Sequence, residues 1–220
     1  MQRVHVTEKI KTGTADANLF MMCRRLNSAA LTELPPGYHF RRIHEGEIES
    51  WKRMPFDDER TAAEHLSYMT GFFERVYAPQ KSLFLERCLF ACDKDDQPVG
   101  TGFIWEACGN VPTVHWYKVK KEYEGRGIGR ALLSKVMQSA ADYPVYLHTQ
   151  PGSFRAIKLY TDFGFELLLD PVIGSRNNEI EEGLPYLKKC MPEAAYRKLC
   201  FGYADREFLR VDAEGAGDDF

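Results

Sequence analysis

The run Glu124-Gly125-Arg126-Gly127-Ile128-Gly129 constrains this chain more than any other. It joins a strand-like segment, VPTVHWYKV, to ALLSKVMQSAA, whose Ala131, Leu132, Val136, Met137 and Ala140 recur at helical spacing. A strand turned through glycines into an amphipathic helix belongs to a mixed α/β architecture. Glycines admit positive φ and let backbone approach a ligand closely. The first amides of the helix lack partners within it, and its dipole favours an anion there. A phosphate or pyrophosphate is therefore the natural guest. Two nucleotide readings fail on their own terms. A dinucleotide fingerprint needs a glycine where Arg130 stands and an acid after the next strand, which VYLHTQ does not supply. A phosphate-binding Walker loop needs Gly-Lys-Ser/Thr, and Gly129 is followed by Arg130.

The surrounding pattern divides the chain into an arm over 1–36, a core over 37–170 and an extension over 171–220. Pro35-Pro36-Gly37 closes the arm, within which Leu19 to Leu31 reads either as a helix or as an extended edge segment. YHFRRI alternates like a strand. EGEIESWKRM and TAAEHLSYMTGFFERVYA read as helices joined by a turn at Pro55. CLFACDK, VGTGFIWEA and VPTVHWYKV follow as strands, the second ending near Gly109-Asn110. After the glycine turn come a strand, VYLHTQ, a helix, FRAIKLYTDF, and a strand, FELLLD. NNEIEEGLPYLKKCMPEAAYRKL reads as loop plus a short helix, and DAEGAGDDF as a frayed acidic tail.

The turn resembles the acyl-CoA loop of the GCN5-related N-acetyltransferases (GNAT), aligned as Glu124-x-x-Gly127-x-Gly129. A second string carries the resemblance further: Ala156-Ile157-x-Leu159-Tyr160 followed by Phe163-Gly164-Phe165. The likeness covers roughly residues 38–170 and implies a single GNAT domain, a mixed central sheet flanked by helices. One position departs from the pattern: Glu124 stands where the family carries Gln or Arg. Its carboxylate is expected to face solvent, with Arg126 and Arg130 supplying positive charge.

The resemblance implies acetyl-CoA as cosubstrate and direct attack of an amine on the thioester, with no metal. Gly125, Arg126, Gly127, Ile128, Gly129 and Arg130 would hold the cosubstrate. Tyr117, Lys118 and Val119 would line its arm, Val119 through its backbone. Tyr160 falls at the position of the family's general acid, and a phenol stays protonated at neutral pH; otherwise it is a packing residue. Ser153 replaces a cofactor-touching asparagine, and either contacts the cosubstrate or caps the helix at Phe154. Strand alternation places Thr113, His115, Tyr117 and Val119 on one face. His115 matches a histidine used for proton removal in arylalkylamine acetyltransferases, or is a hydrogen-bonded strand histidine. Glu106 and His148 are weaker candidates for the base.

For the acceptor, Asp57, Asp58 and Glu59 either attract a cationic amine or form a solvated loop, the latter favoured. Trp51, Phe56, Tyr68, Phe72, Phe73 and Tyr77 either line an apolar pocket or pack as core. Twenty-nine basic residues against 32 acidic ones argue against a nucleic-acid or membrane-surface binder. MQRVHVTEKIKTG lacks the apolar core of a secretion signal, so a cytoplasmic location is expected. Six cysteines without zinc spacing read as buried, reduced thiols. The expected activity is N-acetylation of a small-molecule or peptide amine. The alternatives are another acyl group, an oxygen acceptor, or a non-catalytic CoA-binding module. A homodimer is left open.

Overall fold

The computed structural model describes residues 14–107, 111–206 and 208–210. The expected turn at Gly109-Asn110, Cys108, the first thirteen residues of the arm and the acidic tail lie outside the described residues. The elements, in chain order, are β1 (Leu19–Cys23), β2 (His39–Arg42), α1 (Ile48–Trp51), α2 (Glu59–Val76), α3 (Lys81–Arg87), β3 (Leu89–Cys92), β4 (Pro98–Ala107) and β5 (Val111–Val119). They continue with α4 (Ile128–Gln138), β6 (Val145–Thr149), α5 (Phe154–Asp162), β7 (Phe165–Leu168), β8 (Val172–Ile173), β9 (Arg176–Asn177), α6 (Ile180–Cys190), α7 (Glu193–Tyr196) and β10 (Phe201–Gly202).

Eight of the strands form one mixed sheet in the order β10-β7-β1-β6-β5-β4-β3-β2. β1 overturns one expectation. Leu19 to Cys23 is neither helix nor edge: it runs antiparallel to both β6 and β7, and all five residues are buried. The arm therefore supplies an internal strand. It is anchored again just beyond, where Asn27 donates from its backbone amide to Phe163 O and from Nδ2 to Asp162 O, closing the end of α5. Gly164 follows at φ +97°, and a Cβ there would meet Arg25 O at 2.7 Å, so only glycine fits. The extension also joins the fold. β10 pairs parallel with β7, and α6 runs eleven residues despite Pro185, burying Ile180 and Leu187 against the main core.

The sheet separates two cores. On one face α4, α5 and α6 cover Leu19, Met21, Val99, Val145 and Leu147. On the other, α1, α2 and α3 cover Phe90, Phe103 and Trp105, while the β8–β9 hairpin covers Phe20, Met22 and Tyr146. Two irregularities shape the middle. β5 and β6 run parallel and pair only at Thr113↔Tyr146, so the strands part beyond that point. Within β5 the register against β4 slips by one residue near Trp116, which sits at φ +48°. This is a β-bulge, and it reverses the facing of everything after it. The expectation that Thr113, His115, Tyr117 and Val119 share a face is thereby corrected. His115 and Trp116 face the α2 side, whereas Tyr117 and Val119 pack with α4 and α5.

Candidate active site

The parting of β5 from β6 opens a cleft of about 420 Å³ that passes through the sheet. From the α5 side it is lined by Tyr117, Ser153, Ala156 and Tyr160; from the α2 side by Tyr68, Phe72, His115, Trp116, His148 and Arg176. The glycine turn lies beside it. Gly125 and Gly127 both take positive φ, +75° and +85°. Gly127 caps α4 without a side-chain hydrogen bond, and the first helical bond runs from Ala131 N to Gly127 O. The amides of Ile128, Gly129 and Arg130 are thus left to bind something outside the helix. A Cβ on Gly129 would lie 2.8 Å from Tyr117 Oη, so the cradle there admits backbone alone. Unpaired amides at a positive helix end, in a turn with three glycines, fit the pyrophosphate of an acyl-CoA. Beyond Thr113 the β6-facing backbone of β5, including Val119, has no strand partner among the described residues, as a pantetheine arm requires.

The charged side chains around the turn are engaged elsewhere. Arg130 donates to Asp162 and Ala30 O and lies over the Phe163 ring. Arg126 donates to Glu122 O and Tyr38 Oη. Glu124 is exposed, as expected, and forms an ion pair with Arg155 across 3.5 Å. Lys118 reaches the opposite face, where it pairs with Asp57. Near the turn, the contribution of these residues is therefore chiefly main chain.

Tyr160 is buried, and its hydroxyl has no hydrogen-bond partner among the described residues. Its ring meets Tyr117 edge-on at 5.8 Å. Burial drives its pKa well above the ordinary phenol value, so it holds its proton at neutral pH. Ser153 makes no capping bond to α5, which removes that reading; its side chain lines the cleft instead. His115 is 7% exposed, and its Nδ1 shares a 2.5 Å hydrogen bond with Tyr77 Oη, which also accepts from Trp116 Nε1 at 3.0 Å. Tyr77, expected as pocket lining or core, is a fully buried anchor for the histidine.

The remaining candidates separate. Glu106 pairs with Arg87 and is not part of the cleft lining. His148 lines the cleft with Nε2 against Asn18 Oδ1 at 3.0 Å; burial, helped by the charge of Arg176, pushes its pKa down to about 4. The acidic run does not line this cleft. Asp57 pairs with Lys118, Asp58 caps α2 through Thr61 N, and Glu59 pairs with Arg53. Of the aromatics, Tyr68 and Phe72 line the cleft, Trp51 and Phe73 are core, and Phe56 borders a separate cavity. Cys23, Cys88 and Cys92 are buried free thiols, whereas Cys200 is exposed. Among the described residues no helix is long and apolar enough to cross a membrane. The presence of Arg176 in the cleft had no sequence signal: it stands far from every motif, and the hairpin brings it there.

The acetyltransferase (GNAT) family model matches residues 46–165, more than half of the chain. The chain belongs to that family. Among solved structures, the tandem GNAT protein from the clavulanic acid biosynthesis pathway superposes with a TM-score of 0.52 at 12% identity, covering 71% of this chain and 51% of that one. The GCN5-related N-acetyltransferase from Sphaerobacter thermophilus gives 0.47 at 21% identity, over 70% and 50%. An uncharacterized protein of Mycobacterium leprae is 40% identical over 53 residues, 24% of this chain and 15% of that protein. The chain thus spans about half the length of these solved structures and a small part of the mycobacterial relative.

Proposed function

We propose that the chain is an acetyl-CoA-dependent N-acetyltransferase that joins a primary amine to the acetyl group by direct attack. The observation that carries this reading is the through-sheet cleft, which brings the free hydroxyl of Tyr160 and the anchored ring of His115 to one space beside the glycine turn. Acetyl-CoA supplies the activated acyl group. The α4 amides and Gly129 hold its pyrophosphate, and the unpaired edge of β5 aligns its arm. His115 takes the amine's proton at Nε2. For this, Nδ1 carries a hydrogen and donates to Tyr77 Oη, whose second acceptor position receives Trp116 Nε1–H. Tyr160 gives its proton to the departing thiolate, a role suited to a phenol that burial keeps protonated. No side chain forms a covalent intermediate in this scheme.

The test is twofold. Thermal stabilisation of the full chain is compared across acetyl-CoA, CoA, NAD and ATP, and thiol release is then followed over a panel of amines. Stabilisation by the two CoA species alone, with amine-dependent thiol release, is the expected result. Equal response to all four ligands, or stabilisation without release by any amine, contradicts the reading.

A further inference from the structure

We propose that the acceptor is an amine that also carries a carboxylate, and that Arg176 is the residue that binds this carboxylate. The proposal rests on the acetyl-transfer reading of the cleft and names its acceptor class. Arg176 opens β9 and borders the cleft, and among the described residues its guanidinium has neither an ion pair nor a hydrogen bond. A guanidinium is a planar fork of donors suited to a carboxylate. Its position is set by the surrounding chain rather than by its own contacts. Ile173 is buried under the sheet, and Asn178 Nδ2 donates to both Leu168 O and Asp170 O, which holds the hairpin's exit.

The charge of the cleft agrees. No carboxylate lines it among the described residues, and the acidic run that could have drawn a cationic amine is spent on Lys118, a helix cap and Arg53. Among the described residues Arg176 is the one permanent cation in the lining, and His148 beside it is neutral at pH 7. One guanidinium matches a monoanion and would leave a phosphate dianion half compensated.

Arg176 also lies on the wrong side of the sheet to serve the pyrophosphate. His148, beside it, meets the Phe20 ring at a tilt of 42° with 5.0 Å between centroids, and Phe20 belongs to the core under the hairpin. That face is continuous with the α2 side, because Thr113 and Tyr146 are register partners across β5 and β6. The glycine turn opens α4, which packs on the opposite face. In the same cleft Phe72, Tyr68 and Trp116 offer an apolar wall for the acceptor's body.

The experiment uses matched ligands on the full chain. Turnover is compared for phenylalanine, phenylalaninamide and phenethylamine, and for the aliphatic series leucine, leucinamide and isopentylamine. In parallel, calorimetry in the presence of CoA measures binding of the corresponding N-acetyl acids and N-acetyl amides. The wild-type chain should favour the acids by roughly tenfold or more in both assays. Arg176→Gln should erase that preference through the KM of the acids, read against the uncharged amines on the same variant, and Arg176→Lys should restore part of it. Equal binding of acid and amide by the wild type, or a preference that survives Arg176→Gln, overturns the proposal. If the acids bind through Arg176 but no amine is acetylated, the carboxylate site stands and the acetyl-transfer reading falls.

Discussion

His115 shares its Nδ1 with Tyr77 Oη, so as a base it acts through Nε2, and its tautomer matters as much as its place. Tyr77 Oη sits between His115 Nδ1 and Trp116 Nε1. His115→Gln should lower kcat by about 10²–10⁴, the usual range for a positioned base. Tyr77→Phe should cost less and act mainly on kcat, shifting the acid limb of the pH profile; an unchanged profile would show that the phenol merely packs. His148 makes a different prediction. Its folded pKa is about 4 against an ordinary histidine value of 6.5, so the unfolded chain binds a proton that the folded chain refuses between those values. Its contribution to stability is whole above pH 6.5 and is lost as the pH falls toward 4, by up to about 3 kcal/mol. His148→Gln keeps a side-chain amide for Asn18 and should flatten that part of the stability curve, measured by denaturant unfolding between pH 4 and 7.

At the scale of elements, the turn and the bulge depend on each other. The bulge at Trp116 turns Tyr117 toward α4, where its hydroxyl comes so near Gly129 that a methyl group there would stand at 2.8 Å. Gly129→Ala should therefore weaken CoA binding roughly tenfold by displacing the first turn of α4. The double variant Gly129→Ala with Tyr117→Phe should recover part of the loss, because it removes the clashing oxygen. Calorimetry with CoA checks this, and a double variant no better than the single one would place the fault elsewhere. The turn was legible because the two nucleotide readings fail at Arg130 and because a second string, Ala156-Ile157-x-Leu159-Tyr160 with Phe163-Gly164-Phe165, follows it in order. The bulge was not, since nothing about Trp116 announces positive φ, and so strict alternation misplaced Tyr117 and Val119. Ser153 was ambiguous for the same reason: capping and ligand contact ask for the same hydroxyl, and only the missing cap bond separates them.

For the whole molecule, the sheet is completed from both ends of the chain. β1 lies between β6 and β7, and β10 closes the edge beyond β7. Phe20→Ala should lower stability by about 3–5 kcal/mol, as for other buried phenylalanines. Removing residues 14–36 should abolish cooperative thermal unfolding rather than yield a trimmed domain, which circular dichroism would show. The core from β2 to β7 was largely readable because alternation, turn residues and amphipathic spacing agree there. β1 was not, because a short apolar run buried on both faces carries no period to distinguish strand from helix. The hairpin that delivers Arg176 was equally silent, its two-residue strands being too short to leave a pattern.

The measurement closest to the centre of this account is the turnover of Tyr160→Phe beside its CoA affinity. Phenylalanine keeps the ring that packs against Tyr117 and Phe165 and removes only the proton donor. The account predicts a fall in kcat of about 10²–10⁴ with CoA binding unchanged. Unaltered turnover, or a loss that appears in CoA affinity alone, would contradict it.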